Sequence, residues 1–570
     1  MQLILKYIRP HLPRMIVGLI IKFFGTSMDL VLPYILAHII DNVIPTKQMT
    51  PVLWWGVLML FCAAFAWGGN ILANRSASMV ARDAIFDIRH DLFEKIFSLS
   101  TPQVDTATIP SLISRMTTDT YNLHRMIGMM QRIGVRAPIL VAGGIAVTWT
   151  LDPVLAGILT AMLPIMSISV YFLSKRTVPL FSALQERNDE LVRTVRENIS
   201  GVRVIKALSK TEDEKKRFFQ VNRGVYKAES LANRTMAVNS PVMNLILNLG
   251  LVLVVIVGAW RVNSGATGVG TITAFLSYFT IILHAVMTIT RVISMFSRSL
   301  ASSRRIQEIL DLPTNRSVEE HEEQERDTAV CFEDVTFSYH KKHPNLSHLS
   351  FKLKKGESLG ILGPTGAGKS TLASLLMRFY DPDEGQILLN GKNVKSMTPA
   401  EVRENFGVVF QNDQLFRDTI GENIRIGRNL TEEQLTEALR DAQAADFVAE
   451  KGGLSALIEP KASNLSGGQK QRLLIARALA GKPAFLILDD SSSALDFKTD
   501  AALRKTLREQ YADTTSVIIA QRVSSVRHCD QILVLEDGVP MGLGTHEELL
   551  ERCAIYREIY TLQTGEEVTV

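Results

Sequence analysis

Gly363-Pro364-Thr365-Gly366-Ala367-Gly368-Lys369-Ser370-Thr371 decides how the rest of the chain is read. The stretch fits G-x-x-x-x-G-K-S/T and has the context that pattern needs, an apolar strand before it (Ser358–Leu362) and a helical run after it (372–379). Its glycines let backbone N–H groups curl around phosphate oxygens, while the following helix points its positive end at them. Lys369 would reach the β- and γ-phosphates, and the Ser370 hydroxyl would complete a Mg²⁺ shell. A glycine-rich turn without a ligand has no use for a lysine and a serine in register. The chain is expected to bind a nucleoside triphosphate.

Strands and helices alternate from Val330 onward, which predicts an α/β domain around this loop. Phe337-Ser338-Tyr339 ends its first strand. Tyr339 could stack on an adenine ring, or simply pack, as aromatics at strand ends do. The strand beginning at Gly407 ends in Gln411, whose amide oxygen could join the Mg²⁺ shell. Leu465-Ser466-Gly467-Gly468-Gln469 opens a helix over 470–480, and its serine and paired glycines suit a helix start that presents donors to phosphate. An apolar strand over 484–489 then ends in Asp489 and Asp490, carboxylates of the kind a Mg²⁺ site needs. Ser493-Ala494-Leu495-Asp496 follows, and a last strand over 517–521 carries Gln521 at its tip.

The 570 residues exceed what one core can organise, so two or three domains are expected. A formal net charge of +4 gives no general reason to expect nucleic acid as a partner. Cys62, Cys331, Cys529 and Cys553 are scattered without metal-ligand spacing and read as free thiols in a reducing compartment. Hydrophobicity is uneven: long charge-poor runs fill the first three hundred residues, and the remainder reads as a soluble domain.

Six of those runs are long enough to cross a bilayer as helix, which takes about 20 residues. They lie at 15–40, 48–74, 137–151 with its flanks, 154–174, 237–260 and 271–290. Residues 1–12 alternate apolar and basic side chains, as in a short interfacial helix, and no cleavable leader is expected. Lysine and arginine crowd the segments 75–136 and 175–234 and are sparse in the three short turns, which places the two long segments and both termini in the cytoplasm. Trp54, Trp55, Trp149 and Trp260 then fall at outer helix ends, as aromatic belts do. Ile85, Ile88, Leu92, Phe93, Ile96 and Phe97 recur at helical spacing, so the membrane helices are expected to run on into the cytoplasm. The reversals are placed near 110–120 and 206–214.

Polar residues inside the spans admit two readings. Asp29, His38, Asp41, His284 and Arg291 could line a substrate path. His38, Asp41 and Arg291 stand near helix ends, where reaching headgroups or pairing with one another explains them better; for Asp29 and His284 both readings stay open. Met126, Met129, Met130, Phe275 and Phe279 suit adaptable contacts, yet such spacing equally describes packing. Residues 311–328 are polar and acidic and read as a linker, with His321 among glutamates in a solvated charge run rather than a metal site.

Together these motifs resemble the ATP-binding cassette (ABC) superfamily: Walker A at 363–371, the LSGGQ signature at 465–469, Walker B at 485–489 and the D-loop at 493–496. The resemblance covers nearly the whole chain and implies an ABC exporter half-transporter. That fold is an all-α six-helix transmembrane domain (1–310) with long cytoplasmic helix extensions, a linker (311–328) and an α/β P-loop NTPase domain of ABC type (329–570). The stretches 114–119 and 201–206 resemble those flanking the family's coupling helices, and Glu459 resembles the X-loop acid. In this family two cassettes sandwich two ATP molecules, each held by the Walker motifs of one chain and the signature of the other. The resemblance implies ATP and Mg²⁺ as cofactors. Tyr339, 363–371 and Gln411 would take the nucleotide, Ser370, Gln411 and Asp489 the metal, and 465–469 the ATP of a partner's site.

Two positions depart from the family pattern. Glutamate normally follows the Walker B aspartate as the base that polarises water; here Asp490 is one methylene shorter, and a general base must come within about 2.6–3.2 Å of its proton or act through a water. The family's switch histidine is Gln521, an amide that can donate a hydrogen bond but cannot become cationic. At one site the two changes imply ATP held but cleaved slowly, while the signature is intact. That asymmetry resembles heterodimeric bacterial exporters with one degenerate site. It implies a second half-transporter that supplies the glutamate and histidine, with a homodimer of two slow sites as the alternative.

The expected function is therefore ATP-driven export of hydrophobic or amphipathic compounds such as drugs, lipids or peptides, across the inner membrane of a prokaryote. An exporter-fold importer or a nucleotide-gated regulatory subunit are the alternatives. The six apolar segments exclude soluble cassette proteins of DNA repair or translation, and no N-terminal peptidase domain is expected before the first span.

Overall fold

The computed structural model describes residues 2–314, 319, 328–339, 341 and 343–565. Contacts divide the chain into two compact units, Met1–Ser98 with Thr108–Leu312 and Leu99–Ala107 with Pro313–Val570. The acidic stretch expected as a linker, His321 included, falls almost wholly outside the described residues, as does the side chain of Arg291.

The first unit is helical. Six of its stretches are long and apolar enough to cross a membrane: Leu3–Thr46, Met49–Ser98, Ile109–Leu151, Pro153–Ser200, Thr211–Asn263 and Val269–Ile289. Each overlaps one of the six segments expected from hydropathy. At 1.5 Å per residue the helices Met49–Ser98 and Pro153–Ser200 run about 70–75 Å, more than twice the hydrocarbon thickness of a bilayer. The apolar and charged stretches are thus halves of single helices.

One end of the unit is closed by two carboxylates. Asp41 accepts hydrogen bonds from the backbone N–H groups of Gly270 (2.5 Å) and Thr271 (2.8 Å), capping the helix Val269–Leu310. Asp152, almost fully buried, caps the helix Pro153–Ser200 through Val154 and Leu155 and pairs with Arg261 Nε at 2.7 Å. Asp41 therefore has a structural partner, in line with its place near a helix end. His38 lies against Trp55, ring centres 4.5 Å apart. Met126, Phe275 and Phe279 are buried and pack, as the plainer reading of them had it.

The first reversal departs from the reading of the sequence. The helix ends at Ser98, a short helix spans Thr101–Ala107, and the chain turns at Thr108 with φ +61°. Residues 110–120, where the turn was expected, are helical. Pro110 sits in the first turn of the helix Ile109–Ser114, where its missing N–H leaves no bond unmade, so it marks a helix start and not a break. The second reversal, after the short helix Val202–Ala207, lies where expected. The N-terminal helix Gln2–Ile8 is not a free interfacial element: Leu3, Ile4 and Tyr7 are buried, and the Tyr7 hydroxyl donates to Asp91 at 2.6 Å.

The second unit holds two sheets. β1 (Val330–Phe337), β2 (Leu346–Leu353), β4 (Glu384–Leu389) and β5 (Lys392–Asn393) form an antiparallel sheet in the order β2-β1-β4-β5. β3 (Ser358–Leu362), β6 (Phe406–Val409), β7 (Phe485–Asp489), β8 (Thr515–Ala520), β9 (Gln531–Glu536) and β10 (Val539–Gly544) form the other, in the order β10-β9-β3-β8-β7-β6. All of its strands run parallel except β10 at the edge. Strands covered on both faces read as unbroken apolar runs, and every residue of Phe485–Asp489 is buried. The parallel order brings the carboxyl ends of β3, β8 and β7 side by side, which in open α/β sheets is where ligands bind.

Candidate nucleotide site

Each of those three strands hands over to one part of the site. β3 ends at Leu362 and runs into the glycine-rich loop, β7 ends at Asp489 with Asp490 next, and β8 ends at Ala520 with Gln521 next. A cavity of about 160 Å³ opens at this point. Thr365, Lys369, Gln411, Asp489, Asp490 and Gln521 line it, so sites read separately from the sequence share one wall.

The loop conformation needs its glycines. Gly366 and Gly368 have φ of +91° and +94°, and a Cβ on Gly368 would meet the Asn345 carbonyl at 2.7 Å. Nothing lies within 4 Å of a Cβ built on Gly366, so the loop's open side faces space. The helix Lys369–Leu376 begins at once, with the N–H groups of its first turn free of intrahelical partners. Lys369 folds back, its Nζ donating to the carbonyls of Gly363 (2.8 Å) and Pro364 (2.7 Å). Ser370 Oγ donates to Asp489 Oδ2 at 2.7 Å. Burial raises the Asp489 carboxyl above the usual carboxylate range, with the Ser370 hydrogen bond pulling the other way. Burial lowers Lys369, opposed by Asp489 and Asp490.

The two non-consensus residues take distinct conformations. Asp490 has φ +49°, the left-handed region that aspartate tolerates better than most side chains. Its N–H donates to the Ile519 carbonyl at 2.9 Å, and among the described residues its carboxylate accepts no hydrogen bond. Gln521 is exposed, and its backbone is fixed by Gln563 of the C-terminal helix Ala554–Thr564. Gln411 lies two residues beyond the end of β6, so the strand does not carry it to the cavity; the loop after it does. Tyr339 does not line the cavity. It makes edge contacts with Phe337 and Tyr380, ring centres 4.9 Å away in each case, and its hydroxyl reaches Thr371 Oγ1 at 3.4 Å.

The signature opens the helix Gly467–Leu479 through a capping box: Ser466 Oγ accepts the Gln469 N–H (3.3 Å) and Gln469 Oε1 accepts the Ser466 N–H (3.0 Å). Ser466 and Gly467 are exposed, while Leu465 packs against the core beneath. Gln471, two residues on, ties this helix to the D-loop: its Oε1 accepts the Ala494 N–H at 3.0 Å, and its Nε2 donates to Ser493 Oγ at 3.3 Å. Asp496 caps the helix Phe497–Gln510 through Thr499. Gln471, Gln563 and Asn345, which lines the cavity, were not singled out in the sequence, because a polar residue on a helix face or loop breaks no pattern.

Known proteins agree with this geometry. Residues 15–286 match the family model described as ABC transporter transmembrane region, and residues 346–493 match that described as ABC transporter. The ABC transporter ATP-binding protein YfiB of Bacillus subtilis is 33% identical over 570 residues, which is 100% of this chain and 99% of that one. This chain is an ABC transporter. The transporter is also similar to the ATP-binding protein Rv1273c of Mycobacterium tuberculosis, 32% identical over 574 residues, 99% of this chain and 98% of that one. Among solved structures, a bacterial Atm1-family ABC exporter with ATP bound shares its fold, with a TM-score of 0.81, 24% identity and coverage of 98% and 99% of the two chains.

With one transmembrane region and one ATP-binding domain, the transporter is a half-transporter, a multi-pass membrane protein and an ATPase that takes ATP with Mg²⁺. ABC exporters act as dimers in a membrane. The site fits ATP and Mg²⁺: a positive-φ loop open on one side, a free helix start, a lysine resting on replaceable carbonyl contacts, and a hydroxyl and a carboxylate 2.7 Å apart.

Proposed function

We propose that this chain is the degenerate-site half of a heterodimeric ABC exporter in the cytoplasmic membrane of a prokaryote. It would use ATP to move hydrophobic or amphipathic compounds outward. The observation that carries the reading is the cavity in which Asp490 and Gln521 face the Walker A loop, while the signature helix of the same chain is fully formed. In this reading residues 363–371 hold the nucleotide phosphates with Gln411, and Ser370, Gln411 and Asp489 take Mg²⁺. Asp490 and Gln521 stand where a water-polarising base and a γ-phosphate contact belong. Residues 465–469 complete the partner's site. Tyr339, set by Phe337 and Tyr380, offers a ring face to the adenine.

The membrane domain is assigned to 1–310, the linker to 311–328 and the cassette to 329–570. The basic residues of 75–136 and 175–234 support cytoplasmic termini. Helices far longer than a bilayer is thick support a route by which closure of the cassettes reaches the spans.

ATP hydrolysis by the purified chain alone, and then with a candidate second half-transporter, tests the proposal. Negligible activity alone, rescue by the partner and loss on changing the partner's Walker B glutamate to glutamine would bear it out. Brisk hydrolysis by this chain alone would instead make Asp490 a working base in a homodimer, a reading that its unengaged carboxylate would serve.

A further inference from the structure

The helices Arg136–Leu151 and Val269–Leu310 line an open cavity of about 370 Å³ in the membrane unit. Its wall mixes apolar side chains, Leu140 and Ile281 among them, with Arg136, His284, Thr280 and Thr288. The polar residues of the second helix lie four apart, so they share one face, and Arg136 stands one turn before Leu140 on the other. The volume lies in the range that small-molecule sites occupy, about 300–1,000 Å³.

Arg136 is the first residue of its helix, and Leu151 at the other end adjoins the turn at Asp152. Fifteen residues of helix set the guanidinium roughly 22 Å below that turn, toward the cytoplasmic margin of a hydrocarbon slab about 30 Å thick, where the basic segment 75–136 ends. A cation at that margin calls for a partner. Arg136 has one, Asp29 at 3.0 Å. Among the described residues, buried Lys22 is held only by the neutral amide oxygens of Asn70 (2.8 Å) and Asn74 (3.0 Å). Asn70 in turn donates toward Asp29 at 3.5 Å, which joins the groups into one network. Arg132, one turn before Arg136, spends its Nε on the Gly128 carbonyl. Among the described residues, Asp29 pairs with Arg136, while Lys22 and Arg132 rest on neutral oxygens. The Arg136 side chain remains 46% exposed, and among the described residues the His284 ring makes no hydrogen bond.

We propose that this cavity binds the anionic headgroup of an amphipathic molecule, with Arg136 and His284 on the charge and the apolar tail along Leu140 and Ile281. The inference rests on the export reading and narrows its substrate class. The headgroup could belong to a transported amphiphile or to an anionic lipid of the bilayer, since the chemistry that recognises them is the same.

The test uses the full chain with its partner in nanodiscs of phosphatidylcholine, with dansyl-undecanoic acid as the fluorescent probe. Saturable binding is expected, with dodecyl phosphate displacing the probe at concentrations about tenfold or more below those needed for dodecyltrimethylammonium. Arg136→Gln and His284→Gln should each weaken probe binding by about tenfold. Because Arg136→Gln leaves Asp29 unpaired, the Asp29→Asn/Arg136→Gln double variant keeps the test valid if the single variant misfolds, and it too should bind weakly. Competition by phosphatidylglycerol in the disc would assign the site to lipid, and its absence to a non-lipid amphiphile. Equal displacement by the cationic and anionic chains, or undiminished binding in the folded double variant, would overturn the proposal. Flux of an uncharged dye that persists alongside such a failure would leave the export reading standing. Anion binding without ATP-driven flux of any compound would sink the export reading alone.

Discussion

Gln563 Nε2 donates to the Gln521 carbonyl at 2.9 Å while its Oε1 accepts the Val523 N–H at 2.8 Å, so one amide of the C-terminal helix clamps the backbone on both sides of Arg522. The clamp sets the direction of the residue at the tip of β8, where the cavity is.

Two substitutions take the clamp apart in steps. Gln563→Glu keeps the acceptor for Val523 and loses the donor to Gln521; Gln563→Leu loses both. Each bond is worth about 1 kcal/mol. Hydrogen exchange at the Val523 amide should stay near normal in Gln563→Glu and rise about fivefold in Gln563→Leu. Equal exchange in all three proteins would show that the clamp does not hold the loop.

Lys369 must leave the Gly363 and Pro364 carbonyls before it can meet a phosphate. Lys369→Ala removes a charge-assisted bond worth about 1.5–3 kcal/mol, so ATP affinity should fall by roughly 10- to 150-fold. Binding of a fluorescent ATP analogue reads this directly. Thermal stability without nucleotide should change little, because the loop carbonyls are then free to take water.

The Asp489 carboxyl titrates above the usual carboxylate range because burial disfavours its charge. Mg²⁺ takes the ionised form. Its apparent affinity should therefore fall as pH is lowered through that raised range, starting at higher pH than an exposed aspartate, ordinarily near 3.9, would impose. Asp489→Asn should bind Mg²⁺ weakly at every pH. Mg²⁺ titrations of ATP binding between about pH 5 and 8 separate the two slopes.

Much of this could be read in the chain because the signals are local. The loop 363–371 and its flanking strand, the apolar run before Asp489 and the LSGGQ helix start each carry their chemistry within ten residues. The six spans follow from length and hydropathy in the same way. Partnerships between residues far apart in sequence could not be read: Asp41 with Gly270, Asp152 with Arg261, Gln563 with Gln521. Nor could the first reversal be placed correctly, because Pro110 gives the same signal at a helix start as at a break. Tyr339 shows the remaining limit, since its packing on Tyr380 depends on a residue 41 positions away.

Asp152 serves two roles that substitution can separate. Asp152→Asn keeps an oxygen for the N–H groups of Val154 and Leu155 but removes the ion pair with Arg261; Asp152→Ala removes both. Losing one partner of a buried pair costs about 3–5 kcal/mol, and losing a cap adds about 1. Thermal unfolding in detergent should rank wild type above Asp152→Asn, and Asp152→Asn above Asp152→Ala. If Asp152→Asn unfolds like wild type, the Arg261 pair contributes nothing.

The degenerate-site reading makes its own prediction at Asp490 and Gln521. Asp490→Glu restores the reach of a general base, and Gln521→His restores an imidazole, but neither supplies what the other lacks. The double variant should therefore raise hydrolysis at this site by more than the product of the single effects. The measurement is made with a partner whose own Walker B glutamate is glutamine, so that only this site can turn over. An L-residue in the left-handed region costs about 1–2 kcal/mol, and aspartate tolerates it better than glutamate does, so Asp490→Glu should unfold slightly earlier. A double variant no faster than the wild type would mean that residues beyond these two keep the site slow, and that the loop around Asp490 is shaped for holding ATP.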